Sequence, residues 1–476
     1  MLKFHDTLTK KNKIFKPIKD KKVLIYGCGP TVYNYVHLGN LRAYVFVDLL
    51  KRYLQYSGYS VKHVMNVTDV DDKTIRDSKE SGKSLKEFTE FYEKKFVGDL
   101  DSMNIEMPDV MPRATDYITE MVKIIKKLEK KGLAYRSNGS IYFKISGSKN
   151  YGQLAGLEKQ LLKENASGRL IVADEYKKED INDFVLWKEW REEDGDVYWD
   201  TEIGRGRPGW HIECSAMSIK NLGETFDIHC GGEDLIFPHH TNEIAQSEGA
   251  TGKKFVNYWL HNAHLLVNGQ KMSKSLGNFY TLRDIVEKGY DPLLLRIILL
   301  KTHYRHVIDF NFNNFVEAKA IADKFVNLLF GLDLIEREDK NKLNIDKLTD
   351  GCGNKFEKAM NDDLNISEAM AAVFDFINEI NKSLGIINVK QAEDIRKFIL
   401  KIDKVLGFIE KIYDGYLVKL GQEIKRTEVG QLLKKREEAR ENKDFKASDR
   451  LRDEIQVLGF FIEDTKNGSV VRLRNW

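Results

Sequence analysis

The fold is decided by VLIYGCGPTVYNYVHLGN, residues 23–40. The apolar run at the start of this stretch predicts a β-strand, its glycine-rich centre predicts a loop, and the closing HLGN predicts the start of a helix. Apolar residues at helical spacing continue to Gly58, and residues 61–67 have the pattern of a second strand. A strand, a helix and a parallel strand in this order form the first crossover of a nucleotide-binding sheet.

The glycine pattern excludes two common nucleotide sites. Gly27 and Gly29 form G-x-G, but Val32 stands where the pyrophosphate fingerprint of dehydrogenases has its third glycine. The chain also contains no G-x-x-x-x-G-K-[ST], so a P-loop is excluded. What remains is a histidine followed by Gly39 at a helix start, a position that attracts phosphate. A second stretch, KMSKS at residues 271–275, offers two lysines and two hydroxyls that can fold over a triphosphate.

HLGN and KMSKS, in this order on a Rossmann-like chain, resemble the paired ATP motifs of the class I aminoacyl-tRNA synthetases. The resemblance implies that ATP binds with Mg²⁺, and that catalysis is positioning and charge stabilisation. The residues it assigns to ATP are His37, Gly39, Asn40, Lys271 and Lys274, with His261 near adenine.

Composition sets outer limits on the class of protein. A chain of 476 residues is expected to form several domains, and its net charge of +3 permits a nucleic-acid partner without requiring one. The four cysteines are scattered, which favours reduced thiols or metal ligands over a disulfide framework. The start has no apolar signal core, and the most apolar run, residues 293–300, is too short to span a membrane. We therefore expect a cytoplasmic enzyme with no membrane association.

Metal-capable side chains are concentrated in GWHIECSAM, residues 209–217, and GGEDLIFPHHTNE, residues 231–243. His239 and Glu243 are four residues apart, which places both on one face of a helix. Together with Cys28 and Cys214 they form a Cys, Cys, His, Glu set that suits tetrahedral Zn²⁺. Spacing alone leaves the alternative open, because buried cysteines often fill apolar space and paired histidines often only pack or cap.

YGCGPTVYN, GWHIECSAM and GGEDLIFPHHTNE resemble the cysteinyl-tRNA synthetase family, over essentially the whole chain. The resemblance implies one zinc ion per chain, held by Cys28, Cys214, His239 and Glu243. It also implies an amino-acid pocket lined by Cys28, Gly29, Thr68, Trp210 and His229, although Trp210 has the alternative of a core aromatic. Cys230 and His240 match no ligand position of the family.

The same resemblance, with the periodicity, predicts an α/β fold of the class I type. A Rossmann-like parallel sheet carries an inserted domain and is followed by a helical bundle and a small α+β C-terminal domain. The predicted boundaries are residues 1–115 and 201–255 for the catalytic domain, 116–200 for the connective insertion, 256–318 for the KMSKS region, 319–415 for the bundle and 416–476 for an anticodon-binding domain.

The C-terminal region has two interpretations. Basic residues in the stretch 432–458 alternate with acidic ones, which is more typical of a solvated helix than of a nucleic-acid site. REEAR, ASDRLRD and IEDT nevertheless resemble the anticodon-binding end of the family, and a hairpin over residues 460–474 is predicted to turn at Asn467-Gly468.

The expected activity is activation of L-cysteine with ATP and its transfer to tRNA(Cys), by a monomer. A pocket that recognises only the size of the side chain would separate cysteine from serine by a binding free energy of only about 1–3 kcal/mol. A metal ion, in contrast, binds the sulfur atom directly. Two rivals remain: a cysteine ligase that delivers to a sugar amine, and a non-catalytic zinc or RNA-binding protein. The C-terminal tail argues against the first, and intact His37, Lys271 and Lys274 argue against the second.

Overall fold

The computed structural model describes residues 1–157, 170–171, 182–273, 276–339, 341, 343–465 and 468–474. The chain divides into two compact units. Unit 1 comprises Met1–Asn314 and Glu357–Ala369, and unit 2 comprises Phe315–Phe356 and Met370–Trp476. Within the described ranges, no helix is both long and apolar enough to cross a membrane.

Unit 1 is built on a parallel sheet. Among the described residues its strands lie in the order Val256–Asn262, Phe226–Gly232, Lys22–Gly27 and Ser60–Met65. The helix Leu38–Tyr56 connects the last two strands of this order, which confirms the predicted strand-helix-strand crossover. All four carboxyl ends meet at one edge of the sheet, where open parallel sheets bind their ligands.

A buried ion cluster ties the crossover helix to the helix Pro292–Leu300. The Arg296 side chain is fully buried and donates to Asp48 Oδ2 at 2.5 Å, and Arg52 Nε donates to the same oxygen at 2.8 Å. Arg296 also donates to the main-chain carbonyls of Met103 and Asn104, at 3.2 Å each. These contacts of Arg296 join segments that are distant in sequence.

A mainly antiparallel sheet forms most of the insertion. Its antiparallel strands are Ala134–Ser137, Ser140–Phe143, Asp183–Glu189, Trp199–Thr201 and Gly204–Pro208, and the short strand Leu170–Ile171 pairs in parallel with Asp183–Glu189. The predicted insertion ends at residue 200, but this sheet continues to Pro208. The reason is register: Pro208 pairs with Trp187, so Gly204–Pro208 completes the sheet before the chain returns to the catalytic fold.

Shorter elements complete unit 1. The remaining strands are Lys3–Asp6, Lys11–Ile14, Leu265–Val267, Gln270–Lys271 and Ile308–Phe310. Among the residues that the structure describes, the remaining α-helices are Asp72–Glu80, Leu85–Ser102, Ile118–Lys130, Trp210–Leu222, Thr241–Thr251 and Leu282–Glu287. Short turns of helix cover Ala114–Tyr117, Ile145–Gly147, Glu192–Asp194, Glu233–Leu235 and Ile236–His240.

The second half of the chain is mainly helical and ends in a hairpin. Its helices are Asn314–Asp333, Ile345–Met360, Ile366–Ser383, Val389–Leu406, Ile409–Arg426, Val429–Glu441 and Phe445–Val457, and its strands are Phe460–Thr465 and Gly468–Leu473. Of the predicted turn, Asn467 lies outside the described residues, and Gly468 begins the second strand.

The predicted bundle, residues 319–415, is not one uninterrupted block. The segment Glu357–Ala369 belongs to unit 1, because Asp363 within it accepts hydrogen bonds from His5 N at 2.8 Å, Tyr304 Oη at 2.6 Å and Arg305 Nε at 2.7 Å. A linear division of the sequence misses this return of the chain.

Candidate active site

The structure brings the four predicted metal ligands together at the carboxyl edge of the parallel sheet. Cys28 directly follows the strand Lys22–Gly27, and Cys214 lies on the helix Trp210–Leu222. One ligand atom from each of Cys28, Cys214, His239 and Glu243 lies within 4.8 Å of the others. These atoms come from three segments of the chain, around residues 28, 214 and 239–243, so the cluster is a product of the tertiary fold.

The helical spacing of the last two ligands has the predicted effect. His239 Nε2 lies 3.1 Å from Glu243 Oε1, one turn along the chain, and Cys28 Sγ lies 4.0 Å from the same oxygen. Cys214, His239 and Glu243 are buried, while Cys28 is only partly buried.

The pKa values of Cys28 and Cys214 are shifted in opposite directions. Burial, together with neighbouring Cys214, raises the pKa of the Cys28 thiol well above its usual value. Burial alone would also raise the pKa of Cys214, but the hydrogen bond from Cys28 and the nearby His239 lower it to about 6. These opposite shifts favour a Cys214 thiolate that accepts the S–H of Cys28. A thiolate beside a thiol, an imidazole and a carboxylate is a donor set that fits a tetrahedral metal ion.

A second set of possible ligands overlaps the first. Cys28, His229, His240 and Glu243 also place one ligand atom each within 4.8 Å of the others. His229 Nε2 lies 2.9 Å from Glu243 Oε2, and His240 Nε2 lies 3.2 Å from Cys28 Sγ. The two sets share Cys28 and Glu243. His240, which matches no ligand position of the family, therefore contacts Cys28, a residue of the predicted metal set.

A chain of hydrogen bonds leads away from Cys28. His240 Nδ1 lies 2.7 Å from His261 Nε2, and His261 Nδ1 lies 2.8 Å from Thr7 Oγ1. His261, which the resemblance places near adenine, is 6% exposed and uses both ring nitrogens in this chain. His211 is a further residue that the sequence prediction missed, and its Nδ1 lies 3.0 Å from His239 Nδ1. Its position three residues before Cys214 on one helix face was the available signal.

Two residues of the predicted amino-acid pocket, Trp210 and His229, contact the ligand cluster. The Trp210 ring stacks on His239 with centroids 4.3 Å apart, and the His229 ring stacks on Trp259 at 4.7 Å. Thr68 Oγ1 donates to Glu213 Oε2 at 2.8 Å, and burial raises the pKa of Glu213 well above its usual value. Trp210 is therefore both an aromatic packing residue and a contact of a predicted metal ligand.

Gly29 is held where a side chain cannot fit. Its amide donates to Asn66 Oδ1 at 2.9 Å, and a Cβ added at Gly29 would lie 1.7 Å from the Asn66 main-chain oxygen. The loop that carries Cys28 is thus pressed against the residue that follows the neighbouring strand. This close approach restricts the backbone next to Cys28.

The two ATP motifs meet beside the same edge of the sheet. Asn40 N donates to His37 Nδ1 and His37 N donates to Asn40 Oδ1, both at 3.2 Å, so the pair caps the crossover helix. A Cβ on Gly39 would lie 3.2 Å from Met272 Cε of the KMSKS stretch, which shows how closely the two motifs approach. Lys271 is exposed at the end of its strand, and Lys274 lies outside the described residues.

Comparison of the sequence with known proteins identifies the family of the chain. The family model for the class I (C) tRNA synthetase catalytic domain matches residues 14–320, the DALR domain model matches 355–410, and the cysteinyl-tRNA ligase anticodon binding domain model matches 426–472. A cysteine–tRNA ligase of Brachyspira hyodysenteriae is 46% identical over 467 residues, 98% of each chain. The chain belongs to the cysteine–tRNA ligase family. A cysteine–tRNA ligase of Thermococcus onnurineus is 39% identical over 478 residues, again 98% of each chain.

Solved structures show that this member of the cysteine–tRNA ligase family shares the class I synthetase fold. Mycobacterium tuberculosis methionyl-tRNA synthetase in complex with methionyl-adenylate matches with a TM-score of 0.62 at 14% identity, covering 83% of this chain and 93% of that one. The ternary complex of Agrobacterium radiobacter K84 LeuRS with tRNA and LeuAMS matches with a TM-score of 0.58 at 11% identity, covering 84% and 85%. The predicted fold class is confirmed.

Proposed function

We propose that the chain catalyses the ATP-dependent joining of L-cysteine to tRNA(Cys), and that a Zn²⁺ ion in the four-residue cluster selects the substrate thiol. The observation that carries this proposal is the convergence of Cys28, Cys214, His239 and Glu243 within 4.8 Å, at the ligand-binding edge of a synthetase sheet. The relatives named above are cysteine–tRNA ligases over nearly their whole length, which supports the substrate assignment.

The donor set explains why the ion would be zinc. Two sulfur ligands, one imidazole and one carboxylate match zinc chemistry, and the Cys214 pKa of about 6 provides a thiolate at neutral pH. When bound, Zn²⁺ supplies a Lewis acid that prefers a thiolate to a neutral hydroxyl. Trp210 would hold the ring of His239 in its orientation by stacking, and Thr68 and His229 would line the space for the amino acid.

His37 would act on the phosphates of ATP as a neutral donor. Burial lowers the pKa of its imidazole, and the Nδ1 atom is occupied as acceptor for Asn40 N. The ring proton therefore lies on Nε2, which is free to donate to a phosphate oxygen at the positive end of the helix. Substrate carboxylate attacks the α-phosphorus, and pyrophosphate leaves with charge stabilised by Lys271 and Lys274.

The partners follow from the domain order. ATP would bind with Mg²⁺, and the helical and anticodon-binding regions would hold tRNA(Cys). We propose a cytoplasmic monomer.

The anticodon binding domain matched at residues 426–472 argues against the alternative of a ligase that delivers cysteine to a sugar amine, because such a ligase has no use for an anticodon-binding region.

Three measurements test the proposal. The purified chain should contain about one zinc ion per molecule by elemental analysis, exchange pyrophosphate into ATP only with cysteine, and charge tRNA(Cys). Exchange without charging would favour the sugar-amine ligase, and no exchange would favour a non-catalytic protein. The variant Cys214→Ser should lose zinc, and Cys352→Ser is its matched control, because Cys352 is a buried cysteine of unit 2 outside both ligand sets.

A further inference from the structure

A row of aromatic and cationic side chains extends away from the ATP motif. Arg283 Cζ lies 3.9 Å from the centroid of the Tyr35 ring, Tyr35 and Tyr92 have centroids 5.4 Å apart, and Tyr92 and Phe91 have centroids 5.1 Å apart. We name Arg283, Tyr35, Tyr92 and Phe91 the aromatic row. All four residues belong to unit 1.

One end of the aromatic row adjoins the catalytic motif. Tyr35 stands two residues before His37, and Arg283 stands two residues after Thr281. His37 and Thr281 form a main-chain bridge, so both residues at this end are anchored beside the proposed phosphate donor. Arg283 Nε has no hydrogen-bond partner among the described residues, which leaves the guanidinium stacked on Tyr35 without a carboxylate at that nitrogen.

The other end of the row reaches solvent. Phe91 is 39% exposed, a large fraction for an aromatic ring. Lys83 Nζ lies 5.2 Å and Lys95 Nζ lies 5.4 Å from the Phe91 ring centroid, both within cation–π range. An exposed ring with two ammonium groups has the composition of a surface for an anionic polymer with flat bases.

Neighbouring carboxylates do not cancel this character. On the same helix, Glu90 and Glu93 pair with Arg113, at 3.4 Å and 2.8 Å. Asp77, which faces Tyr92, pairs with Arg76 at 2.7 Å. Asp99 faces Arg283 and Lys95, and Glu87 faces Lys83.

We propose that the aromatic row is the stacking platform for the unpaired 3′ end of the tRNA as it enters the active site, an inference that rests on the proposed function. The transfer step requires the terminal ribose to reach the adenylate beside His37. Single-stranded nucleotides are held by aromatic faces and by cations that follow the phosphates, and the row offers both from the surface to the motif. Base stacking needs only the flat face of a base, so the row can hold unpaired nucleotides without reading their edges.

The test compares intact tRNA(Cys) with a transcript that lacks the unpaired 3′ nucleotides. The wild-type enzyme should bind the intact tRNA more tightly, and Phe91→Ala should reduce that preference by about 5- to 100-fold, the range for one stacked base. Phe91→Trp keeps a ring face and should restore it. Charging should fall relative to cysteine-dependent pyrophosphate exchange in Phe91→Ala, because exchange uses no RNA. A 2-aminopurine in the 3′ end should show stronger quenching with wild type than with Phe91→Ala.

Ile18→Ala is the matched control, since Ile18 is another exposed apolar residue of unit 1, at 47% exposure, outside the row. Equal preference for intact tRNA in wild type and Phe91→Ala would overturn the platform. An equal loss of affinity for intact and truncated tRNA would also overturn it, and would assign Phe91 to the paired part of the molecule. A wild-type enzyme without exchange would instead overturn the proposed function, so the two failures are distinguishable.

Discussion

Replacing His63 by leucine should make the stability of unit 1 less sensitive to acid. His63 lies in the strand Ser60–Met65, is 2% exposed, and has no hydrogen-bond partner on either ring nitrogen among the described residues. Burial, with a smaller contribution from nearby Lys51, lowers its pKa from 6.5 to about 3. The folded state therefore holds this imidazole neutral over a range of pH in which the unfolded chain protonates it.

The size of the effect follows from the two pKa values. Because the folded-state pKa is the lower one, the stabilisation is complete above pH 6.5 and is lost as the pH falls towards 3. Between pH 8 and pH 5 the wild-type protein should lose about 2 kcal/mol from this group alone. His63→Leu lacks this titration, so its free energy of unfolding relative to wild type should rise by about 2 kcal/mol over the same interval.

Urea unfolding followed by tryptophan fluorescence measures this difference in unit 1, the part of the chain that contains His63. Five of the six tryptophans, at positions 187, 190, 199, 210 and 259, lie in unit 1. His306→Gln is the control, because His306 is an exposed histidine of the same unit. Parallel pH profiles for His63→Leu and wild type would refute the reasoning, since they would show that the buried imidazole is protonated or hydrated in the folded protein.

Three further predictions concern the site and its support. Cys214→Ser should lower the bound zinc and reduce cysteine-dependent pyrophosphate exchange by about 100-fold or more, measured by elemental analysis and exchange kinetics. Arg296→Met should destabilise unit 1 by about 3–5 kcal/mol in urea unfolding, because it leaves buried Asp48 with one guanidinium partner fewer. Gly29→Ala should abolish exchange while the metal content falls, because its Cβ would lie 1.7 Å from the Asn66 oxygen.

Each of these predictions has a contradicting result. Full zinc content in Cys214→Ser would remove that residue from the ligand set. An unchanged unfolding midpoint for Arg296→Met would show that water or the remaining Arg52 satisfies the cluster. Wild-type exchange by Gly29→Ala would show that the loop moves away from Asn66 at little cost.

Local features of the fold were predictable from the sequence. The helix cap formed by His37 and Asn40 and the cap at Asp291, whose carboxylate accepts from Leu293 N at 2.7 Å, each depend on residues a few positions apart. The i, i+4 pair of His239 and Glu243 was predictable for the same reason. Helical and strand periods determine such neighbours directly.

The remaining contacts depend on tertiary structure. Thr7 and His261 are 254 positions apart, and no periodic pattern brings them together. His240 matches no ligand position of the family, so its contact with Cys28 could be found only once the strand and the helix start were placed in space. The boundary of unit 1 was missed for the same reason, because Asp363 returns to segments far earlier in the chain.

The return of Glu357–Ala369 to unit 1 has a consequence for biosynthesis. Asp363 accepts hydrogen bonds from His5, Tyr304 and Arg305. Because Asp363 is translated after all three donors, these hydrogen bonds can form only when the ribosome has made most of the chain. A nascent polypeptide released before residue 363 lacks the hydrogen bonds that join the strand Lys3–Asp6 to Tyr304 and Arg305 through Asp363. Premature termination near residue 320 should therefore yield a product that cellular proteases remove, even though every proposed ligand and nucleotide-binding residue has already been translated.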